Sequence, residues 1–252
     1  MLPSAVAFIP ARLGSKRVPG KNIRALAGHP MLAYTIAPAI QSGVFDAVIV
    51  STDSEETAAI ARHYGAEVPF LRPYVFATDT SPDIEWVDYT LRELGRGRQW
   101  DAFSLLRPTS PFRTADTIRR AWQLFTSEPG VDSLRAVELC AQHPGKMWVV
   151  EGSRMRPLLG QPEPRMQPWH STPYQALPRV YVQNASLEIA WTRVVLEKRT
   201  IAGDVLMPFI TERYEGFDIN DPHDWMIAER LLADGAVSLP RVTREPYGAV
   251  RA

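Results

Sequence analysis

Residues 5–22 read AVAFIPARLGSKRVPGKN, an apolar strand that runs directly into a basic loop. The run at 5–9 predicts a buried strand, because a short apolar segment that ends at turn residues is typical of one. The loop after it carries four cations, Arg12, Lys16, Arg17 and Lys21. A cationic loop at the end of a buried strand predicts a local site for a polyanion. The alternative is an ordinary solvated charged loop.

The composition limits the class of protein. A chain of 252 residues that is 45% hydrophobic fits one large domain, alone or with a small lobe. Its formal net charge of zero argues against nucleic acid or an acidic membrane as the main partner. Cys140 is the single cysteine, which excludes an internal disulfide and a cysteine-based zinc cage. Without a signal-peptide pattern or an apolar run near the roughly 20 residues that span a bilayer, we expect a cytoplasmic protein.

The first half of the chain alternates strand and helix patterns. Strands of this kind separated by helices imply right-handed βαβ units and a mainly parallel sheet, with ligands at the carboxyl ends of the strands. The predicted strands are 5–9, 46–51, 67–71 and 102–106, and the predicted helices are 31–41, 54–64, 82–94 and 114–125.

The second half has a different pattern. Short strands at 133–137, 147–150 and 187–191 surround a proline-rich stretch, 157–178, that has neither helical nor strand periodicity. A stretch of this length predicts a lid, an arm or a partly disordered segment. A strand at 205–210 and a helix at 222–232 complete the pattern. We therefore predict one domain at 1–235, an inserted lobe at 138–192 and a loose tail at 236–252.

The basic loop matches neither common phosphate-binding motif. Five residues separate Gly14 from Gly20, where a P-loop has four, and Asn22 replaces the Ser or Thr of that motif. A Gly-x-Gly fingerprint is also absent from it. Backbone N–H groups together with Arg12, Lys16 and Lys21 are suited to a triphosphate, and the amide of Asn22 is suited to a base edge.

Acidic residues elsewhere allow two interpretations. Asp53 follows a predicted strand and is either functional or an ordinary helix cap. Asp218 and Asn220 precede a predicted helix and form either part of a site or an Asx turn.

Six segments resemble the CMP-acylneuraminate synthetase family of sugar-acid cytidylyltransferases in order and spacing. This resemblance covers roughly residues 5–232. It implies a three-layer α/β nucleotidyltransferase fold with a mainly parallel, Rossmann-like sheet and a small inserted dimerisation lobe. It also implies a homodimer that uses Mg²⁺ to join CTP and a 2-keto sugar acid into a CMP-sugar and pyrophosphate. The segments are IPARLGSKRVPGKN (9–22), VSTDSEE (50–56), FLRPYVFATDTS (70–81), LRPTSPFR (106–113), HPGKMW (143–148) and FDINDPHDW (217–225).

The resemblance implies a role for particular residues. Arg72 matches a residue near the base and ribose, Lys146 matches a lysine that faces the sugar acid, and Asp218 matches the first carboxylate of a DxD metal motif. The catalytic residues that the resemblance predicts are Lys21, Arg12 and Asp218. The nucleotide loop, which holds the phosphates and cytosine, is matched by Arg12, Ser15, Lys16, Lys21 and Asn22.

This chain departs from the family pattern at three places. Asn220 replaces the second metal carboxylate, and an amide oxygen ligates Mg²⁺ only weakly or through water. Arg107 replaces a Gln and is expected to add charge beside the substrate, for example by pairing the sugar carboxylate bidentately. Pro82 and Asp83 interrupt a run of small hydroxyl residues. Two alternatives stay open, a cytidylyltransferase for an octulosonate-type acid and a weakly active nucleotide-binding dimer.

Overall fold

The computed structural model describes residues 2–14, 17–160 and 167–248. Contacts divide the chain into two compact units. The larger unit contains Met1–Ala136 and Asn184–Ala252, and the smaller unit contains Val137–Gln183. The inserted lobe was predicted at 138–192. The smaller unit ends earlier, because the residues from Glu188 to Trp191 pair with a central strand of the larger unit.

The main sheet is six-stranded, in the order β10-β6-β9-β5-β1-β4. Strand β1 pairs in parallel with both β4 and β5, and β9 runs antiparallel to β5. The strands in the described residues are β1 (Ala5–Pro10), β2 (Ala25–Leu26), β3 (His29–Pro30), β4 (Ala47–Ser51), β5 (Ala102–Leu105), β6 (Ser133–Leu139), β7 (Trp148–Glu151), β8 (Arg154–Pro157), β9 (Tyr181–Trp191) and β10 (Leu206–Ile210).

Three of the α-helices in the described residues begin at side-chain caps. Ser54 accepts a hydrogen bond from the Thr57 N–H, and Thr114 and Asp221 each form a capping box. Such caps satisfy N–H groups that the first turn of a helix leaves free. The α-helices in the described residues are α1 (Ala33–Ser42), α2 (Glu55–His63), α3 (Asp83–Leu94), α4 (Ala115–Ser127), α5 (Thr192–Lys198) and α6 (Pro222–Ala233).

Strand β1 is buried on both faces, and this burial creates the layers. Ala7 and Ile9 belong to a core cluster that includes residues of α1, α2 and α4. Phe8, from the opposite face, packs with Trp86 of α3 and Val195 of α5. Burying a side chain such as Phe8 stabilises the fold by about 1.5–3 kcal/mol. The predicted α/β architecture with a mainly parallel sheet is confirmed.

The predicted strand at 67–71 is wrong. Only one isolated parallel bridge, between Ile49 and Glu67, forms there. Pro69 lacks the N–H that a ladder requires, so pairing stops after Glu67. The chain then turns to bring Arg72 to the carboxyl end of β4, where its N–H donates to the Thr52 carbonyl at 2.7 Å.

The tail from 236 was expected to be loose, but residues 236–248 pack against the larger unit. The Gln41 side chain donates to the Arg241 carbonyl at 2.8 Å, and the Tyr247 N–H donates to the Tyr64 hydroxyl at 3.1 Å. Val242 lies partly buried against the core. These bonds hold the segment along α1 and the end of α2, and 249–252 lie outside the described residues.

In the smaller unit, β7 and β8 form a hairpin. The proline-rich stretch begins at the end of β8 and contains two short 3-10 turns, Trp169–Ser171 and Tyr174–Ala176. Its residues 161–166 lie outside the described part of the chain. Among the residues that the structure describes, every helix is too short or too polar to cross a membrane.

Candidate active site

A cavity of about 450 Å³ opens where the loops after β1, β4 and β5 meet. Strands β4 and β5 lie on either side of β1 and run parallel to it, so the carboxyl ends of all three lie at the same edge of the sheet. The predicted site residues that line this cavity are Arg12, Lys21, Asn22, Arg72 and Arg107. Two of the predicted nucleotide-loop residues, Ser15 and Lys16, lie outside the described residues.

Contacts within the described parts of the basic loop, and one with the segment after β4, fix its two ends. Gly20 adopts a left-handed φ of 62°, which a side chain would strain. The Asn22 amide donates to the Arg12 carbonyl at 3.2 Å, which joins the two ends of the loop. Asp53 accepts from the Leu13 N–H at 2.8 Å, while Ser54 caps α2. Asp53 therefore anchors the basic loop and is not the helix cap.

Lys21 connects this loop to the segment before α6. Its Nζ donates to the Ile219 carbonyl at 2.8 Å. Burial lowers the pKa of Lys21, the nearby Asp218 carboxylate opposes that effect, and Arg17 adds to it. A partly desolvated ammonium interacts more strongly with an anion than one in bulk water does.

Arg12 and Arg72 occupy different environments in the cavity. Arg12 forms a 2.7 Å ion pair with Asp79, and about a third of each side chain is exposed. Arg72 is buried and donates to the hydroxyl and the carbonyl of Ser51 at 2.9 and 3.0 Å. Its guanidinium stacks 4.3 Å from the ring centre of Trp86, and burial lowers its pKa to about 10. Arg72 is thus fixed, whereas Arg12 lies in a more exposed pair.

Arg107 is already paired with two carboxylates. Its Nη2 donates to Asp83 at 2.6 Å and to Glu188 at 3.0 Å. Burial raises the pKa of Asp83, but the charge and hydrogen bond of Arg107 outweigh it and leave that pKa lowered. Glu188 also pairs with Arg135. Two of the departures noted in the sequence, Arg107 and Asp83, therefore contact each other directly.

The segment before α6 orders Asp218 and Asn220. The Asn220 Nδ2 donates to Asp218 Oδ2 at 2.6 Å, and its Oδ1 accepts from Arg17 at 3.3 Å. The other oxygen of Asp218, Oδ1, is buried without a hydrogen-bond partner. The Asn220 N–H donates to Asp224 at 2.8 Å, so this segment is also the entry to a capped helix. The turn before the helix is therefore present, and a role of Asp218 and Asn220 in a site stays a prediction.

Lys146 lies in the smaller unit. Its Nζ donates to the carbonyls of His170 and Thr172 at 3.1 and 2.9 Å. These bonds use two of the three N–H groups of the ammonium and hold the Trp169–Ser171 turn against it.

Arg113 is a further residue of the larger unit, one whose role sequence reasoning missed. Its side chain is fully buried and donates to the Arg107 carbonyl at 3.3 Å, to the Thr35 hydroxyl at 3.1 Å and to the Ser186 carbonyl. Burial lowers its pKa to about 9. Its interactions fix the turn that carries Arg107. Glu188 was missed as well, although a lone acid in the apolar run LEIAW was a usable signal.

Known proteins that are similar to this chain are cytidylyltransferases and CMP-sugar-acid synthases. A family model described as cytidylyltransferase matches residues 6–82. The chain is 36% identical over 234 residues to the CMP-N,N′-diacetyllegionaminic acid synthase of Legionella pneumophila, covering 90% of this chain and 95% of that protein. It is 44% identical over 125 residues to the N-acylneuraminate cytidylyltransferase of Escherichia coli, covering 50% of this chain and 29% of that protein.

A solved structure shares the fold. It is a CMP:2-keto-3-deoxy-manno-octonic acid synthetase complexed with CTP, with a TM-score of 0.66 and 16% sequence identity, covering 92% of this chain and 99% of that one.

Proposed function

The chain belongs to the cytidylyltransferase family that includes CMP-sugar-acid synthases, and we propose that it transfers CMP from CTP to a sialic-acid-like 2-keto-3-deoxy sugar acid. The acceptor is the anomeric hydroxyl, and the second product is pyrophosphate. The predicted family and enzyme class are confirmed by a relative that aligns with 90% of this chain. N,N′-diacetyllegionaminic acid is the first acceptor to test, because that relative is named for it.

One observation carries the assignment of the nucleotide site. Arg12, Lys21, Asn22 and Arg72 line one cavity at the carboxyl edge of the sheet. A nucleoside triphosphate carries several negative charges in a row, and a cluster of fixed cations stabilises such a chain of phosphates. We assign Arg12 and Lys21 to the phosphates, with Ser15 and Lys16 of the same loop, and Asn22 and Arg72 to the cytidine.

The reaction is an in-line displacement at the α-phosphorus. The anomeric oxygen forms a bond to that phosphorus and releases its hydroxyl proton to solvent, while the bond to the bridging oxygen breaks and pyrophosphate leaves with the electron pair. Negative charge grows on the phosphate oxygens, so positioning and cationic stabilisation provide most of the catalysis. The ammonium of Lys21 and the guanidinium of Arg12 supply that charge without any proton transfer. Arg12 must exchange Asp79 for phosphate as the nucleotide binds.

The oxygen atoms of Asp218 and Asn220 are of the type that binds Mg²⁺, the cofactor that the family implies. Mg²⁺ in nucleotide enzymes is held by one or two carboxylates together with substrate phosphates and water. Asp218 Oδ1 is a buried carboxylate oxygen without a partner, which is a suitable ligand. Asn220 would contribute its amide oxygen after releasing Arg17. When bound, the ion would supply Lewis-acid polarisation of the phosphate oxygens.

Acceptor binding and assembly complete the proposal. We assign Arg107 and Lys146 to the sugar acid, since each is a cation with N–H donors to spare. The smaller unit exposes several apolar side chains, which supports a homodimer contact through it. These exposed apolar residues are Val150, Met155, Leu158 and Leu159.

We place the enzyme in the cytoplasm, where CTP is available.

Pyrophosphate release from CTP with Mg²⁺ tests the proposal. The panel contains neuraminic-, legionaminic- and pseudaminic-type nine-carbon acids and an eight-carbon octulosonate. We expect turnover with a nine-carbon acid and none without an acceptor. Turnover restricted to the octulosonate would transfer the assignment to that acid. CTP binding without pyrophosphate release from any acid would identify a nucleotide-binding dimer and overturn the proposal.

A further inference from the structure

A cluster of paired arginines and carboxylates lies along one wall of the cavity. Arg107 pairs with Asp83 and Glu188, Arg135 pairs with Glu188, and Arg72 is close enough for its charge to lower the pKa of Asp83. The charge of Asp53 also acts on Arg72, so three carboxylates already face the three cations of this cluster. A substrate carboxylate that binds this wall must therefore compete with a carboxylate that is already there.

The geometry of Arg107 limits how such a carboxylate is bound. A guanidinium offers parallel N–H pairs on two edges, Nε with Nη2 and Nη1 with Nη2, and a carboxylate that binds bidentately uses one of them. Both edges require Nη2. The two N–H groups of Nη2 already bond to Asp83 and Glu188. A substrate carboxylate therefore binds Arg107 bidentately only if one of these two acids leaves.

The two acids differ in how readily they leave. The Glu188 side chain is 7% exposed and has Arg135 as a second partner. The Asp83 side chain is 24% exposed and lines the cavity itself. After leaving Arg107, Asp83 still accepts from the Trp86 indole N–H, which contacts its other oxygen at 2.8 Å. Asp83 is thus the acid that a ligand in the cavity can replace.

We propose that Asp83 occupies the position of the substrate carboxylate on Arg107, and that the sugar acid binds by displacing it. Asp83 then sets the affinity for the acceptor, because every binding event must break the Asp83–Arg107 pair. Glu188 stays in place and keeps the guanidinium oriented during the exchange. This inference rests on the proposed function and specifies how that site selects an acid over a neutral sugar.

The test compares Asp83→Asn with a matched variant, Asp88→Asn. Both changes remove a carboxylate–arginine pair from α3, but Asp88 pairs with Arg92 on the exposed surface. We measure KM for N,N′-diacetyllegionaminic acid, or for whichever panel acid is turned over, and KM for CTP. Loss of one partly buried competing pair is expected to lower the acceptor KM about three- to fivefold in Asp83→Asn. The CTP KM, and both constants in Asp88→Asn, are expected to stay within about twofold of wild type.

A second variant tests Arg107 directly. Arg107→Gln is expected to raise the acceptor KM by about tenfold or more and to erase the preference for the acid over its methyl ester. An acceptor KM that rises or stays unchanged in Asp83→Asn would overturn the displacement, as would an unchanged acid-to-ester preference in Arg107→Gln. These results require wild-type turnover. Its absence with every acid would instead refute the proposed function, and the inference with it.

Discussion

Lys21 gives the sharpest test of the nucleotide site, through the substitution Lys21→Met. Methionine keeps most of the unbranched apolar stem but removes the ammonium. Among the described residues that ammonium makes one hydrogen bond, to the Ile219 carbonyl at 2.8 Å, which is worth about 1 kcal/mol net. Removing a partly buried charge also removes its desolvation cost, which offsets part of the loss of that hydrogen bond. The free energy of unfolding should therefore change by about 1 kcal/mol or less.

The effect on the reaction should be much larger. A charge that stabilises the developing phosphate charge in a desolvated site contributes about 2.7–4 kcal/mol to the transition state, or about 100- to 1000-fold in kcat. Pyrophosphate release at saturating CTP and acceptor measures this loss, and urea denaturation measures the stability in parallel. A variant that folds normally and turns over within about threefold of wild type would refute the assignment of Lys21 to the phosphates.

Lys198→Met is the matched control for that experiment. It makes the same chemical change, but Lys198 bonds to Asp132 and Asp204 at 2.7 Å each and does not line the cavity. We expect reduced stability with kcat within about twofold of wild type. A large loss of kcat in this control would show that charge removal anywhere impairs the enzyme.

Two further predictions concern pH and backbone strain. Because burial lowers the pKa of Lys21 below 10.5, kcat/KM should fall on the alkaline side at a pH below that value. In Lys21→Arg this limb should move to higher pH, and an unmoved limb would assign it to another group. Gly203→Ala should destabilise the protein by about 3 kcal/mol in urea denaturation, because φ is +72° and the new Cβ would lie 2.4 Å from Asp132. Gly235→Ala, at φ +68° with open space around it, should cost only about 1 kcal/mol, and equal losses would exclude a clash at Gly203.

Local patterns were sufficient for most of the fold. One segment of the sequence predicts both the buried strand β1 and the basic loop after it. A buried parallel strand requires an apolar run, and a glycine with positive φ permits the turn that follows. Ser54, Thr114 and Pro222 mark helix starts that the structure places within a residue of the predictions. The predicted strand at 67–71 was wrong, because partners distant in sequence decide whether an extended segment pairs.

The sequence by itself determined the family, the α/β class and the residue types of the nucleotide loop, because these depend on local order and on periodicity. Only the tertiary structure decided which charges meet. Arg107 and Asp83 are separated by a helix and a strand in sequence, yet their side chains lie 2.6 Å apart. Glu188 joins them from β9, whose antiparallel pairing with β5 sets its position. An ion pair depends on the distance between two charges in space, whereas the residue type at each position determines only the sign of the charge.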